Sequence, residues 1–310
     1  MKTNKVIIGS IAAIFVLVFS QIGAQLIASM FHLAGISIGI CNIIAGIIYI
    51  LLSYFLLNIL VSKFLKTDIK ILHITVNVKW LIVAVVLPVI VKGIFLLLPG
   101  EFVSSGMDKN QIFTTLSAGI VFTGIAVGLV EEMVFRGVIM SLIRERWNTK
   151  IAILVPSVLF ASVHLIGMNF SALSCILVLV AGTMVGVMFS MIAIESDSIW
   201  NSGIVHSIWN IIIIGGGLGI SEKANEYSVM TYVLDSKSFA ITGGEFGIEA
   251  SVIALVGYVV VTVIAFVMIK RKTDFLYEIK CNSQNEKCSN CMLERGELTE
   301  EEISEELDLL

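Results

Sequence analysis

Three apolar stretches of the sequence contain ionisable or amide side chains where aliphatic residues would be expected. These side chains are Glu131, Glu132 and Arg136 in VEEMVFRG, His164 in FASVHL, and His206 and Asn210 in HSIWN. An ionisable group at the centre of a membrane helix costs about 2.5–3.5 kcal/mol even on insertion scales, so such groups usually mark a function. The six residues are therefore our candidate site.

The first stretch supplies a carboxylate without a local partner. Glu132 and Arg136 are four residues apart and face the same side of a helix, where they can form an ion pair. Glu131 is rotated from Glu132 by about 100°, and it is five residues from Arg136. A desolvated carboxylate of this kind is a suitable general base. We predict that role for Glu131, with Glu132 and Arg136 as supporting residues.

His164 is predicted to lie at the same depth as Glu131. If their helices form a hairpin that turns around residues 147 and 148, both residues are 16.5 positions from its midpoint. A carboxylate and an imidazole at one level can together bind and deprotonate a water molecule.

His206 and Asn210 are also one helical turn apart, and both can present N–H donors to a developing negative charge. Amide hydrolysis needs an activated water, donors for the oxyanion and an acid for the leaving amine. The candidate site therefore predicts a peptide hydrolase. Glu131, His164 and His206 are equally acceptable zinc ligands. The sequence does not decide between water activated by glutamate and water bound to zinc or another divalent metal.

The elements that carry these residues are predicted to be membrane helices. Of the 310 residues, 57% are hydrophobic and only 14% are charged, whereas soluble domains have about 25% charged residues. A spanning helix needs about 20 mostly apolar residues. We predict an all-α polytopic membrane protein with about eight transmembrane helices, near residues 6–31, 36–61, 80–98, 113–142, 150–168, 172–195, 199–218 and 247–269.

Basic residues in the loops predict the orientation, because cytoplasmic loops are enriched in Lys and Arg. Eight spans place four basic clusters on one side of the membrane. These clusters are Lys2 and Lys5; Lys63, Lys66, Lys70 and Lys79; Arg144, Arg146 and Lys150; and Lys270, Arg271 and Lys272. Both termini are therefore predicted to be cytoplasmic.

The end of the chain has a different composition. We predict a transmembrane domain over residues 1–272, with a catalytic core of about 113–218, and an acidic, flexible cytoplasmic tail over 273–310. Residues 271–310 contain 11 acidic and five basic side chains, and the tail also contains Cys281, Cys288 and Cys291. Three cysteines need one further ligand for a zinc site, and no nearby His or second CxxC supplies it.

The three motifs together resemble a known family. EEMVFR at 131–136, FASVH at 160–164 and HSIWN at 206–210 look like the ordered motifs EExxxR, FxxxH and HxxxN of the CAAX-protease and bacteriocin-processing (CPBP, or Abi) family. The segment ITGGEFGIEAS at 241–251 also looks like bacterial members.

This resemblance implies an intramembrane endopeptidase related to the type II CAAX prenyl proteases, in a bacterial plasma membrane. It implies that Glu131 and His164 activate water and that His206 and Asn210 form the oxyanion hole. Family members are often labelled metalloproteases, and the bacterial branch is associated with peptide maturation and bacteriocin immunity.

Two other functions are compatible with buried polar residues in a membrane. One is a non-catalytic binding or immunity protein, and the other is a proton-coupled transporter. The transporter is less favoured because the two halves show no inverted repeat. The predicted partners are a membrane-associated peptide or protein substrate and the lipid bilayer, with no nucleic acid.

Overall fold

The computed structural model describes residues 1–67 and 74–283, and describes side chains as far as residue 274. Each of the eight predicted apolar stretches forms a helix. The helices are α1 (Thr3–Leu33), α2 (Ile38–Leu65), α3 (Val78–Leu96), α4 (Lys109–Arg146), α5 (Thr149–Val163), α6 (Ala172–Ser196), α7 (Ile199–Ile213) and α8 (Val252–Ser283).

Six of these helices are long and apolar enough to cross a membrane, which makes the protein an integral membrane protein. The exceptions are α5 and α7, each of 15 residues. At 1.5 Å per residue they are about 22 Å long, short of the roughly 30 Å hydrocarbon core. The predicted eight spans are therefore confirmed only for six helices, and the two short helices carry the second and third motifs.

Glycine and charged residues explain the largest differences at the helix ends. The predicted end of α7 at residue 218 was five residues too late, because Gly216 has φ +78° and breaks the helix. Conversely, α8 continues through the basic cluster at 270–272 to Ser283. A charged sequence ends the apolar part of a helix but not its backbone hydrogen bonding. The remaining tail residues, including Cys288 and Cys291, lie outside the described residues.

A small β-sheet corrects the all-α prediction. Strands β1 (Gly100–Ser104), β2 (Leu218–Ser221) and β3 (Met230–Leu234) form one sheet in the order β1-β3-β2. β1 pairs antiparallel with β3, and β2 pairs parallel with it. The chain then forms a helical turn at Phe239–Thr242 and two 3₁₀ turns, Gly244–Phe246 and Ile248–Ala250, before α8 begins.

Glycines allow α4 and α7 to approach each other closely. A Cβ added to Gly128 would lie 2.7 Å from Ser207 Oγ and 2.9 Å from the Ser207 Cα. A Cβ at Gly124 would lie 2.4 Å from the Ile211 side chain. Small residues permit such contacts in membrane helices. The two helices that carry the first and third motifs are therefore held in backbone contact.

A buried carboxylate outside the candidate site lies at the end of α6, where sequence analysis does not single it out. Glu195 accepts a hydrogen bond from Lys79 Nζ through Oε1, and Trp80 Nε1 donates to Oε2 at 2.8 Å. The Trp80 side chain is fully buried. Both oxygens of this carboxylate thus bind the start of α3, and we call the three residues the Glu195 clamp.

Candidate active site

The first motif forms the buried ion pair that its spacing predicts. Arg136 Nη1 donates to Glu132 Oε1 at 2.8 Å, and both residues are 1% exposed. They lie on α4 where two π-helical stretches, Ala118–Val127 and Met133–Ile139, flank a short α-helical segment. π-Helical turns are frequent at functional sites.

The Arg136 guanidinium is fixed on all sides. Its Nη2 donates to the carbonyl of Gly186 at 2.7 Å, and its Nε donates to Ser190 Oγ at 3.4 Å. The guanidinium carbon lies 4.9 Å from the centre of the Phe160 ring and 5.3 Å from that of Phe189. Arg136 therefore joins α4 to α6 and holds Glu132 in place.

His206 lies between the two glutamates. Its Nδ1 is 3.2 Å from Glu132 Oε1, and its Nε2 is 3.6 Å from Glu131 Oε2. The ring stacks on Phe189, with centroids 4.5 Å apart, and contacts the Phe160 ring at 5.8 Å. His206 is thus oriented by a carboxylate and two aromatic rings. The spacing of the motifs along the chain predicts none of these contacts between helices.

Each glutamate has a buried oxygen without a hydrogen bond among the described residues. Within the described part of the chain, Glu131 Oε2 and Glu132 Oε2 are buried and have no hydrogen-bond partner. Buried polar atoms are nearly always satisfied by protein or water. An unsatisfied carboxylate oxygen beside an imidazole is therefore a suitable position for a water molecule or a substrate group.

His164 lies at the end of α5 and is partly exposed. Its Nδ1 is 2.8 Å from the carbonyl oxygen of Phe160. A carbonyl can only accept, so Nδ1 carries the proton and, in the neutral ring, Nε2 has the free lone pair. The Phe160 ring contacts both His164, at 4.7 Å, and His206. No hydrogen bond joins His164 to Glu131 among the residues described, and their equal depth stays a prediction.

Asn210 is on the same face of α7 as His206 and is 5% exposed. Its Nδ2 donates to the carbonyl of Thr123 on α4 at 3.1 Å. The amide group has two N–H bonds, so one further donor is available. One of the two predicted oxyanion donors thus also ties α7 to α4.

Metal binding was the alternative for this site. Over residues 1–67 and 74–283, no three or more His, Cys, Asp or Glu side chains form a group that could hold a metal ion. In this geometry Glu131, His164 and His206 therefore do not form a metal site, although Glu131 and His206 approach each other.

Sequence analysis missed two neighbours of the site. Tyr49 on α2 is 1% exposed and interacts electrostatically with Glu131. Glu249 precedes α8 and interacts electrostatically with His164, His206 and Glu131. Nothing local distinguishes Tyr49 in an apolar helix, whereas Glu249 lies in ITGGEFGIEAS, which resembled bacterial members of the family.

Comparison with known proteins supports the motif assignment. Residues 113–212 match the family model described as type II CAAX prenyl endopeptidase Rce1-like. No curated protein and no solved structure matches the chain. The matched range contains all six candidate residues, and it confirms the resemblance that the three motifs predict.

Proposed function

We propose that this protein, whose residues 113–212 match the Rce1-like family model of type II CAAX prenyl endopeptidases, hydrolyses peptide bonds of membrane-associated substrates through a water activated by Glu131. One observation carries the proposal. Glu131 Oε2 is buried without a hydrogen bond in the described residues, yet it lies 3.6 Å from His206 Nε2. A carboxylate placed in this way is available to take a proton.

In the proposed reaction, the water binds between Glu131 and His164. Glu131 Oε2 accepts one proton from the water, and the Nε2 lone pair of His164 accepts a hydrogen bond from it. The oxygen then attacks the carbonyl carbon of the substrate peptide bond and forms a tetrahedral intermediate. The proton held by Glu131 passes to the leaving nitrogen as the C–N bond breaks, so that water is consumed and one carboxylic acid and one amine are released.

The remaining residues stabilise the charge that develops on the carbonyl oxygen. The proposed donors are the second N–H of Asn210 and the Nε2–H of His206, because both residues lie on the face of α7 that packs against α4. Since Nδ1 of His206 already donates to Glu132, this role requires the ring to carry a proton on both nitrogens. The Glu132–Arg136 pair does not react. Glu132 accepts from His206 Nδ1 and so orients the ring, while Arg136 fixes Glu132.

The substrates that fit this site are peptides or proteins presented from the bilayer. We propose that the protein lies in a bacterial plasma membrane, as the family resemblance implies, with both termini cytoplasmic, as the basic clusters predict. Peptide maturation or immunity to a bacteriocin is the proposed cellular role. We favour water activated by glutamate over water bound to a metal, and the absence of a group of three or more candidate ligands among the described residues supports this choice.

The test is cleavage of a peptide panel by the purified protein in detergent. The panel contains prenylated and unprenylated membrane peptides, each assayed with wild type, Glu131→Gln and His164→Ala, with and without a strong chelator. Glu195→Gln is the matched control, because it removes a buried carboxylate outside the site. We expect wild type and Glu195→Gln to cleave in both conditions and the two site variants to be inactive.

Three results would contradict the proposal. Cleavage by Glu131→Gln at the wild-type rate would exclude Glu131 as the base. Loss of wild-type cleavage on addition of the chelator would mean that the attacking water is bound to a metal and not activated by Glu131 alone. A cellular immunity phenotype that survives Glu131→Gln would favour the non-catalytic binding function.

A further inference from the structure

The segment between β3 and α8 folds back over the active site. A Cβ at Gly243 (φ +75°) would lie 1.7 Å from the carbonyl oxygen of Gly247, so the backbone doubles back closely on itself. Outside the turn, Glu245 Oε2 accepts from the backbone N–H of Ser171 at 2.8 Å. On the inner side, the Phe246 ring meets the edge of His164, with centroids 6.2 Å apart. Residues 239–251, which we call the covering segment, thus lie between the start of α6 and the site.

Glu249 is the acidic residue of this segment that reaches α7. Trp209 Nε1 donates to Glu249 Oε1 at 3.0 Å. Trp209 is 2% exposed, and its ring packs against Tyr258 of α8 at 5.1 Å. Tyr258 in turn donates its hydroxyl to the backbone carbonyl of Glu249 at 3.1 Å. The three residues form a closed set of contacts that joins the covering segment, α7 and α8.

Trp209 is placed where a small movement would affect the reaction. It directly precedes Asn210 and follows His206 by three residues. A rotation of α7 about its axis would move all three side chains together, because they lie within little more than one turn of one helix. Displacement of a reacting group by about 1 Å can reduce a rate about 100-fold.

A carboxylate at position 249 has an energetic cost that simple packing does not require. Most of its side chain is covered by protein. Burial raises the pKa of Glu249 above its ordinary value, against the smaller lowering effects of the Trp209 hydrogen bond and of the nearby His164 and His206. A neutral acceptor would satisfy one indole N–H. The contact therefore depends on an acceptor oxygen at position 249 that reaches the indole, and not on its charge.

We propose that Glu249 is a positioning residue of the hydrolytic site, which holds Trp209 and thereby sets the orientation of the His206–Asn210 face of α7. The inference rests on the proposed function. It also extends the site beyond the residues 113–212 that match the family model, since Glu249 and the covering segment lie outside that range.

The test is a double-mutant cycle measured as peptide cleavage by the full-length protein in detergent. Glu249→Ala removes the acceptor, and Trp209→Phe removes the N–H donor but keeps an aromatic ring against Tyr258. We expect each to lower kcat by about 10- to 100-fold with KM changed less than about twofold. The double variant should be no slower than the slower single variant, because both changes break one interaction. Multiplicative losses would overturn the proposal.

Glu249→Gln tests whether a hydrogen-bond acceptor at position 249 is sufficient for activity. It keeps a carbonyl acceptor of the same size, so we expect kcat within about threefold of wild type. A Gln variant as slow as Glu249→Ala would show that the charge matters and not the position of the indole, which would also overturn the proposal.

Tryptophan emission provides a readout that does not need catalysis. The difference between wild type and Trp209→Phe isolates Trp209, and Glu249→Ala should change that difference while Glu249→Gln preserves it. If Glu131→Gln cleaves like wild type, the proposed function fails whatever the emission shows. If Glu131→Gln is inactive but Glu249→Ala leaves both kcat and the Trp209 emission unchanged, the positioning role fails alone.

Discussion

Two buried carboxylates of this protein have opposite surroundings. Glu195 uses both oxygens, one for Lys79 and one for Trp80. Glu131 is also buried, yet its Oε2 has no hydrogen bond among the described residues and lies 3.6 Å from His206 Nε2. A carboxylate whose oxygens are both engaged joins two helices, whereas one with a free oxygen beside an imidazole can accept a proton. Burial alone therefore does not identify a catalytic glutamate in a membrane.

Changing the two glutamates to glutamine should separate these roles most clearly. Glu131→Gln should reduce kcat/KM by about 10²- to 10⁴-fold, because it removes a general base. Glu195→Gln should leave kcat/KM within about threefold of wild type. Steady-state cleavage of one peptide substrate measures both effects. Equal losses in the two variants would mean that the comparison reflects folding and not chemistry.

Substitution of Arg136 tests how much the Glu132–Arg136 ion pair contributes to stability. Arg136→Met leaves Glu132 buried without its cation, which should destabilise the protein by about 3–5 kcal/mol. The double variant Glu132→Gln/Arg136→Met removes both charges and should recover part of that loss. Denaturant unfolding in detergent gives the free energies. A single variant as stable as wild type would show that the pair contributes nothing to the fold.

Gly128 tests whether close contact between α4 and α7 keeps the two motifs together. Gly128→Ala places a methyl group within 3 Å of Ser207, and such overpacking costs about 1–3 kcal/mol. Gly93→Ala is the control, because a Cβ there has no heavy atom within 4 Å. We expect a lower unfolding free energy and slower cleavage only for the first variant. Equal effects would mean that the glycine contact does not position the site.

The Glu195 clamp should contribute to stability alone. Glu195→Ala leaves the buried Trp80 N–H without an acceptor, at a cost of about 1–3 kcal/mol. Thermal unfolding measures the loss. Trp80→Phe in the Glu195→Ala background removes the unpaired N–H donor. The double variant should therefore be little less stable than Glu195→Ala. A large additional loss would mean that Trp80 is held by packing and not by Glu195.

The smallest effect is expected at the exposed end of the covering segment. Hydrogen bonds from Ser174 and from the N–H and hydroxyl of Ser171 hold the pKa of Glu245 below its ordinary value. The carboxylate form is the one bound, so docking should be complete above the pKa of a free glutamate and lost as pH falls through the lowered value. Amide hydrogen exchange of residues 239–251 reports this change. Glu245→Gln should show the weaker protection already at neutral pH.

The sequence predicts the helices well because apolar length is a local property. It misses the sheet because β1 and β3 pair Gly100 with Leu234, and strands of four or five residues give no local signal across such a separation. The two short helices could have been recognised in part, since Gly167 and Gly216, both with positive φ, follow their ends.

The site shows the same division between local and distant information. The Glu132–Arg136 pair follows from a spacing of four residues within one helix. The contact of His206 with both glutamates depends on how α7 packs against α4, and the contact of Glu249 with Trp209 joins residues 40 positions apart. Residue spacing cannot supply either contact.

The shortness of α5 and α7 has a consequence for the surrounding lipid. A helix of about 22 Å cannot match a hydrocarbon layer of about 30 Å, so the bilayer next to it must thin or water must enter above the helix end. His164 lies at such an end. Local thinning of the membrane would thus shorten the path by which bulk water reaches the carboxylates, and thicker bilayers should slow the resupply of water after each turnover.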